Sequence, residues 1–404
     1  MDLFTNPDLF NVIREYTHLH HLCDTCTTLL TFKQYLNYKL NRTYSLMYYN
    51  DISFRNKVLN KIFNPNKQLS INLFDYDVIT DINALGNVHC LNLYGCDNIT
   101  DVSALRNVHT LNLSFCNISD VSALGNVHTL YIHNCNNIVD VSALGNVHKL
   151  DLYCCKSITD VSMLGNVHTL NLSYCNISDV SMLGNVHTLY LHNCYNITDV
   201  SMMGNVHTLN LSYCNISDVS MLGNVHTLYL HNCDKITDVS ALGNVHTLKL
   251  TRCKNITDVS ALGNVHTLDL SECNITDVSA LGNVHSLKLS GCKKISDVSA
   301  LGNVHTLDLI KCNITDVSLL KNVHCLKLTR CKNITNVHKL DLNYCKKTRV
   351  LLVYWVIFVH FICTIIYINE QRPFQSHIKF LILYYSQLLL YLITYNTFRC
   401  YIYF

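Results

Sequence analysis

The tripeptide Asn-Val-His occurs fourteen times, with histidines at 89, 109, 128, 148, 168, 187, 207, 226, 246, 266, 285, 305, 324 and 338, and the first twelve intervals are all 19 or 20 residues. A unit this short cannot bury an apolar face by itself, so a strict period of that length makes each unit lean on its neighbours. The chain between these marks must be a stack. Composition permits one: of 404 residues 49% are apolar and 14% charged, far from the low-hydrophobicity signature of disorder. The only prolines are Pro7, Pro65 and Pro373, so nothing in the middle of the chain removes a donor from a backbone ladder.

Counted from the valine of each mark, a unit such as VHTLNLSFCNISDVSALGN (residues 108–126) has apolar residues at positions one, four and six, cysteine at nine and isoleucine at eleven or, in the longer units, twelve. In Leu-x-Leu, here Leu111 and Leu113, alternation turns both leucines inward and their neighbours outward, as a strand requires. Parallel strands need a crossover. Ser/Thr-Asp-Val-Ser-x-Leu-Gly supplies a short turn or one-turn helix, with Ser or Thr as its expected N-cap and Gly at its exit. With neighbouring strands about 4.8 Å apart, fourteen or fifteen coils make a ladder of roughly 65–70 Å.

The pattern L-x-x-L-x-L-x-x-C-x-I, carried from residue 68 to 345, resembles the leucine-rich repeat family in its cysteine-containing form. The Asp-Val-Ser-x-Leu segment is similar to that of bacterial internalin-type repeats, whose units are longer. The resemblance implies an α/β solenoid, a horseshoe or superhelix with a parallel β-ladder on its concave face; apolar residues at helical spacing in DLFNVIREY and FRNKVLNKIF add a small helical domain before it. The expected layout is a helical region over 1–64, a capping repeat over 65–87, repeats over 88–346 and a hydrophobic tail over 347–404. In the cap, QLSINLFDYDVITDINALGN (68–87), Ile71 and Leu73 point inward and Tyr76 takes the cysteine place. The unit from Val323 runs only 14 residues to the next mark and lacks a return segment, so regular geometry is expected to fail near Asn336.

Residues 166–204 and 205–243 differ only at Tyr195/Asp234, Asn196/Lys235, Met202/Ala241 and Met203/Leu242. Tandem duplication accounts for that, so near-identity marks no active site. The cysteine column is expected to be buried, each thiol donating to a backbone carbonyl; a straight column with one thiol per coil suits neither disulfides nor a metal. The histidine column is expected to pack against, or hydrogen-bond to, the preceding coil. Function belongs where the repeat varies, at positions five, seven and eight, read as outward-facing strand positions. These give Tyr131, His133, Tyr153, Tyr174, Tyr190, His192, Tyr213, Tyr229 and His231, residue types enriched in protein interfaces. Farther along, Lys249, Asp269, Lys288, Asp308, Lys327 and Asp341 alternate in sign at position five. They read as cross-strand ion pairs or, with Arg252, Lys311 and Arg330, as the polar rim of a partner site.

A net charge of +2 gives no field that selects nucleic acid. Asp269, Glu272 and Asp308 interrupt the basic residues, so no nucleic-acid partner is expected. Phosphate loops, nucleophile elbows, zinc-protease helices and paired carboxylates are missing from the sequence, so neither an enzyme nor a cofactor is expected. The beginning of the chain shows no basic region followed by an apolar run. Twenty-one cysteines then suit a reduced, cytoplasmic or nuclear setting.

The run PDLFNVIREYTHLHHLCDTCTTLLTF resembles an F-box through Pro7, Leu9, Phe10, Ile13, Tyr16 and Leu22, departing from it at Asn6, where that motif has Leu, and by one missing residue. The resemblance implies docking to the small adaptor of a cullin-type ubiquitin ligase; the alternative is a plain helical cap. Cys23 and Cys26, beside His18, His20 and His21, form one isolated zinc-like pair, a weak signal. Residues 350–368 are nineteen long with only His360 and Thr364 polar, enough to span a bilayer. A membrane anchor, a hydrophobic cap and an unselected extension all remain open for the tail.

Overall fold

The computed structural model describes residues 37–331, except Phe63, together with Ile334. The F-box-like residues, the Cys23–Cys26 pair, the irregularity expected near Asn336 and the apolar run 350–368 lie outside them. Among the described residues no helix is long and apolar enough to cross a membrane.

Among the described residues two longer helices, α1 (Arg42–Asn50) and α2 (Ile52–Lys61), and the single turn Pro65–Gln68 precede the coils. The ends of the two helices follow from two side chains. Asn41 accepts from the Tyr44 N–H, and Asp51 ends α1 and starts α2 by accepting from the N–H groups of Ser53 and Phe54, satisfying donors a helix start leaves free. Ser45 on α1 is fully buried; it donates to Leu40 O and accepts from Asn72 N, fastening the helix to the first coil.

Among the described residues fifteen strands form one parallel sheet in chain order. β1 (Tyr38–Lys39) pairs with β2 (Leu69–Asn72), β2 with β3 (Cys90–Asn92), β3 with β4 (Thr110–Asn112), and so on to β15 (Cys325–Lys327). The register repeats coil by coil: Leu209 lies between Leu189 and Leu228. Leucines at positions four and six, valines at one and isoleucines after the cysteine are almost all at most 3% exposed. The extra residue of a 20-residue unit is housed in a single turn, as in Cys135–Ile138, closed by Ile138 N–H to Cys135 O. The strands therefore stay aligned.

From β3 onward the strands are only three residues long because the chain turns at once. Position eight is left-handed in every full coil, at Phe115 (φ 62°), Tyr174 (64°), Tyr213 (62°), Arg252 (64°) and Glu272 (60°) among others, and glycine fills it only at Gly95 and Gly291. That conformation costs a side chain about 1–2 kcal/mol. It persists because the same residue's N–H donates across the ladder, as from Tyr174 to His192 O and from Glu272 to Ser290 O at 2.8 Å each. The turn brings the next cysteine inward, and its thiol donates to the position-six carbonyl of the preceding coil: Cys116 to Leu93 O at 3.1 Å, Cys175 to Leu152 O at 3.2 Å. Burial pushes the thiols of Cys116 and Cys155 up to about 12, so at neutral pH they stay protonated donors.

The return segments are single 3-10 turns such as Ser122–Leu124, and their caps differ from expectation. The preceding Ser or Thr caps nothing; Asp120 Oδ1 accepts the Ser122 N–H at 2.8 Å, and Asp199 that of Ser201 at 2.9 Å. Aspartate wins because its carboxylate reaches two residues ahead in an Asx turn. The Ser N–H first, and the Ser hydroxyl second, hold Asp120, Asp160, Asp199 and their equivalents below the ordinary carboxylate range. A carboxyl depressed in the folded state stabilises above its unfolded value, about 3.9, and loses that contribution as pH falls through its folded value. Histidines held below their ordinary value by burial and by neighbouring rings, His109, His168, His207, His246 and His285 among them, cost stability as pH falls below about 6.5, so circular-dichroism melts are expected to decline gradually from there and more steeply below about pH 4, where the aspartates protonate. Asn at 160, 179, 199 and 218, which still accepts but does not titrate, should shallow that limb; superimposable acid limbs would discount the caps as its cause.

Candidate binding face

Positions three and five point away from the leucines on the strands, half-exposed. Position five is occupied by Tyr131, Tyr190 and Tyr229, each ending its strand. The expectation that positions seven and eight share that strand surface is corrected. His133, Tyr153, His192 and His231 at seven, and Tyr174, Tyr213, Arg252, Lys311 and Arg330 at eight, occupy the corner that leaves the strand. The chain must reverse there to bury the cysteine at nine.

The corner gathers the rings into a row along one edge of the ladder. His133 and Tyr153 have centroids 5.9 Å apart, Tyr153 and Tyr174 5.2 Å, Tyr174 and His192 5.4 Å, and His192 and Tyr213 5.1 Å. All four contacts are edge-on or tilted, the geometry that ring quadrupoles favour. Tyr131 touches His133 at 6.0 Å, and Tyr229 touches His231 at 6.2 Å. Two residues not singled out from the sequence extend the surface: Tyr94 and Phe115, 4.9 Å apart. They stand in the same columns, two coils and one coil before the first residue named, and counting those columns from the first coil would have found them.

Why tyrosine coils follow asparagine coils has a backbone answer. Where position five is Asn or Asp, its side chain accepts the N–H two residues on: Asn112 from Ser114, Asp151 from Tyr153, Asn210 from Ser212. A tyrosine there cannot, and the orphaned N–H turns to the preceding coil. Ser114 Oγ accepts from His133 N at 3.1 Å, and Ser212 Oγ from His231 N at 3.3 Å. Both serines are 1% exposed. In these two places Asn-x-Ser followed by Tyr-x-His acts as a two-coil unit.

Burial keeps His192 below its ordinary value and does so first for His231, where Lys249 also lowers and Asp269 raises it. Both are neutral at pH 7, each offering one donor and one acceptor. His133 Nε2 lies 3.1 Å from Asp151 Oδ2, but off the line of a hydrogen bond.

The alternating charges are not a run of ion pairs. Strand register sets Lys249, Asp269, Lys288, Asp308 and Lys327 side by side, yet the ion pair among them is Lys288–Asp269, at 4.0 Å. Asp308 is 8% exposed and accepts instead from Ser290 Oγ and Ile310 N, because local donors need no long side chain to be immobilised. Lys249 lies over the Tyr229 ring at 4.8 Å and Lys149 over Tyr131 at 5.4 Å. Arg252 pairs with Glu272 through two bonds of 2.9 and 3.3 Å, both side chains half-exposed.

The histidine column forms an outward stack. From His89 to His324 successive rings lie 4.5–4.7 Å apart, and from His109 onward most have Nδ1 near the hydroxyl of the following Thr, as in His128–Thr129 at 3.2 Å. Parallel rings do not converge, and among the described residues no three His, Cys, Asp or Glu side chains could hold a metal ion.

Four stretches, residues 104–124, 166–183, 205–222 and 264–282, match the family model for the leucine-rich repeat. The fold is a leucine-rich repeat solenoid. A leucine-rich repeat protein of Leptospira interrogans is similar at 18% identity, over 69% of this chain and 83% of that one, with a TM-score of 0.50. An internalin of Listeria monocytogenes is similar at 24% identity, over 69% of this chain and 85% of that one, with a TM-score of 0.48. No curated protein matches the chain.

Proposed function

We propose that this leucine-rich repeat solenoid binds another protein along the edge lined by Tyr131, His133, Tyr153, Tyr174, Tyr190, His192, Tyr213, Tyr229 and His231, with Arg252, Lys311 and Arg330 as its charged end. The supporting observation is the unbroken row from His133 to Tyr213. It is raised on left-handed corners at a backbone cost that packing does not demand of aromatics, since Gly291 serves the same corner elsewhere. Rings with one polar end, already immobilised, lose little entropy on binding and suit interface centres.

The test is affinity capture with the full chain and with Tyr174, His192 and Tyr213 replaced by Ser, partners being identified by mass spectrometry. Affinity for the principal partner should drop at least about tenfold, with circular dichroism unchanged. An identical partner set at equal yield would remove the row from consideration.

A second reading rests on the F-box-like Pro7, Leu9, Phe10, Ile13, Tyr16 and Leu22: the solenoid selects targets for a cullin-linked ligase. Co-purification with the cullin adaptor, lost on changing Leu9, Phe10 and Ile13 to Ala, would support it; no co-purification would end it.

A further inference from the structure

The return segments carry a second surface, independent of the aromatic row. Four consecutive ones present methionine outward, Met163, Met182, Met202 and Met221, each 59–61% exposed. The same place holds Ala143 in the coil before and Ala241 in the coil after, so the fold is satisfied by a methyl group. The core beneath is already filled by Leu164, Leu183, Met203 and Leu222, all fully buried. Duplication links Met182 with Met221 but separates Met202 from Ala241, so copying alone does not produce the stripe. Contiguous exposed apolar side chains are uncommon on a soluble surface and mark contact sites.

Charge identifies the occupant. Three residues before each methionine stands an exposed aspartate, Asp160, Asp179, Asp199 and Asp218, and Met202 lines one shallow depression together with Asp179 and Asp199. A second copy of this chain would set aspartates against aspartates, and an anionic membrane would be repelled. An α-helix has a pitch of 5.4 Å against a coil spacing of about 4.8 Å, so a helix laid along the stripe stays within roughly 2 Å of register over four coils. Each helical turn meets one methionine, a side chain that adapts to irregular apolar partners. We propose that Met163, Met182, Met202 and Met221, with the aspartates beside them, form a docking strip for a basic amphipathic helix of a partner protein, apolar at i, i+4, i+7 and i+11 and rich in Lys or Arg on its flanks.

The test uses the full chain, labelled with carbon-13 at the methionine methyls, and a helical peptide of about 18 residues with leucine on one face and lysine on the other; its glutamate counterpart is the control. Resonances of the four methionines should shift on adding the lysine peptide while that of Met47, on α1, stays put. Changing all four to Ala, or Asp160, Asp179, Asp199 and Asp218 to Asn, which preserves the turn bonds, should each weaken binding at least about tenfold. Unchanged affinity in either variant overturns the proposal, as do equal shifts with the glutamate peptide. Shifts that follow protein concentration alone would overturn it in favour of self-association.

Discussion

Leu209→Ala is expected to destabilise the middle of the ladder by about 4 kcal/mol, near the upper end for a leucine truncation in a close-packed core. Leu209 is fully buried, and its register partners Leu189 and Leu228 flank it on both sides. A void there opens two interfaces at once. The neighbours cannot collapse into it, because the hydrogen-bond ladder fixes strand spacing at about 4.8 Å. Stability in a stacked array is a sum of coil and interface contributions, so native-state hydrogen exchange is the proper measure. Protection should fall most over the coils carrying Leu189, Leu209 and Leu228, and least near Leu69. A loss below about 1 kcal/mol, or one spread evenly, would mean that the coils do not depend on their neighbours.

Gly184→Ala tests the distance between coils. Gly184 has φ −61° and ψ −16°, a right-handed conformation that alanine adopts freely. On backbone entropy alone the change would stabilise by about 0.4–1 kcal/mol. A Cβ at this place, however, would lie 2.3 Å from the carbonyl oxygen of Met202 in the next coil, and the obstacle is backbone rather than a movable side-chain end. Overpacking of that kind costs about 1–3 kcal/mol, so net destabilisation of about 2 kcal/mol is expected. Arg106 occupies the equivalent place in one early coil, which shows that a neighbouring carbonyl can yield; the cost of yielding is what the substitution reads. Lys321 is the other departure, and the unit after it lacks a return segment in the sequence. A Gly184→Ala protein melting at or above the parent temperature would refute this account.

Much of the architecture was legible because inside and outside follow from period alone. Leu111 and Leu113 point inward, Cys116 donates to a carbonyl of the coil before it, and Tyr76 stands half-buried against the core at the cysteine place of the first coil. The candidate face was legible only as columns. Positions seven and eight read as strand, since a run such as Leu-x-Leu-x-x-Cys does not announce where extended backbone stops. The left-handed corner at Tyr174 and Tyr213 carries no glycine to reveal it. Nor could spacing show that Asp308 prefers Ser290 to Lys327 or Lys288, because both partners lie within reach and local geometry chooses.

From residue order alone came the number of coils, their inward faces and the alternating signs at position five of the later coils, since each of these is a periodicity and needs no knowledge of what lies across the ladder. Only the folded stack decided that the glycine at the exit of most returns answers to a carbonyl one coil away, that aspartate rather than serine caps the return, and that the variable aromatics meet as a row at an edge. Those outcomes depend on distances between residues about twenty apart in the chain, which exist only once successive coils have closed and settled against each other.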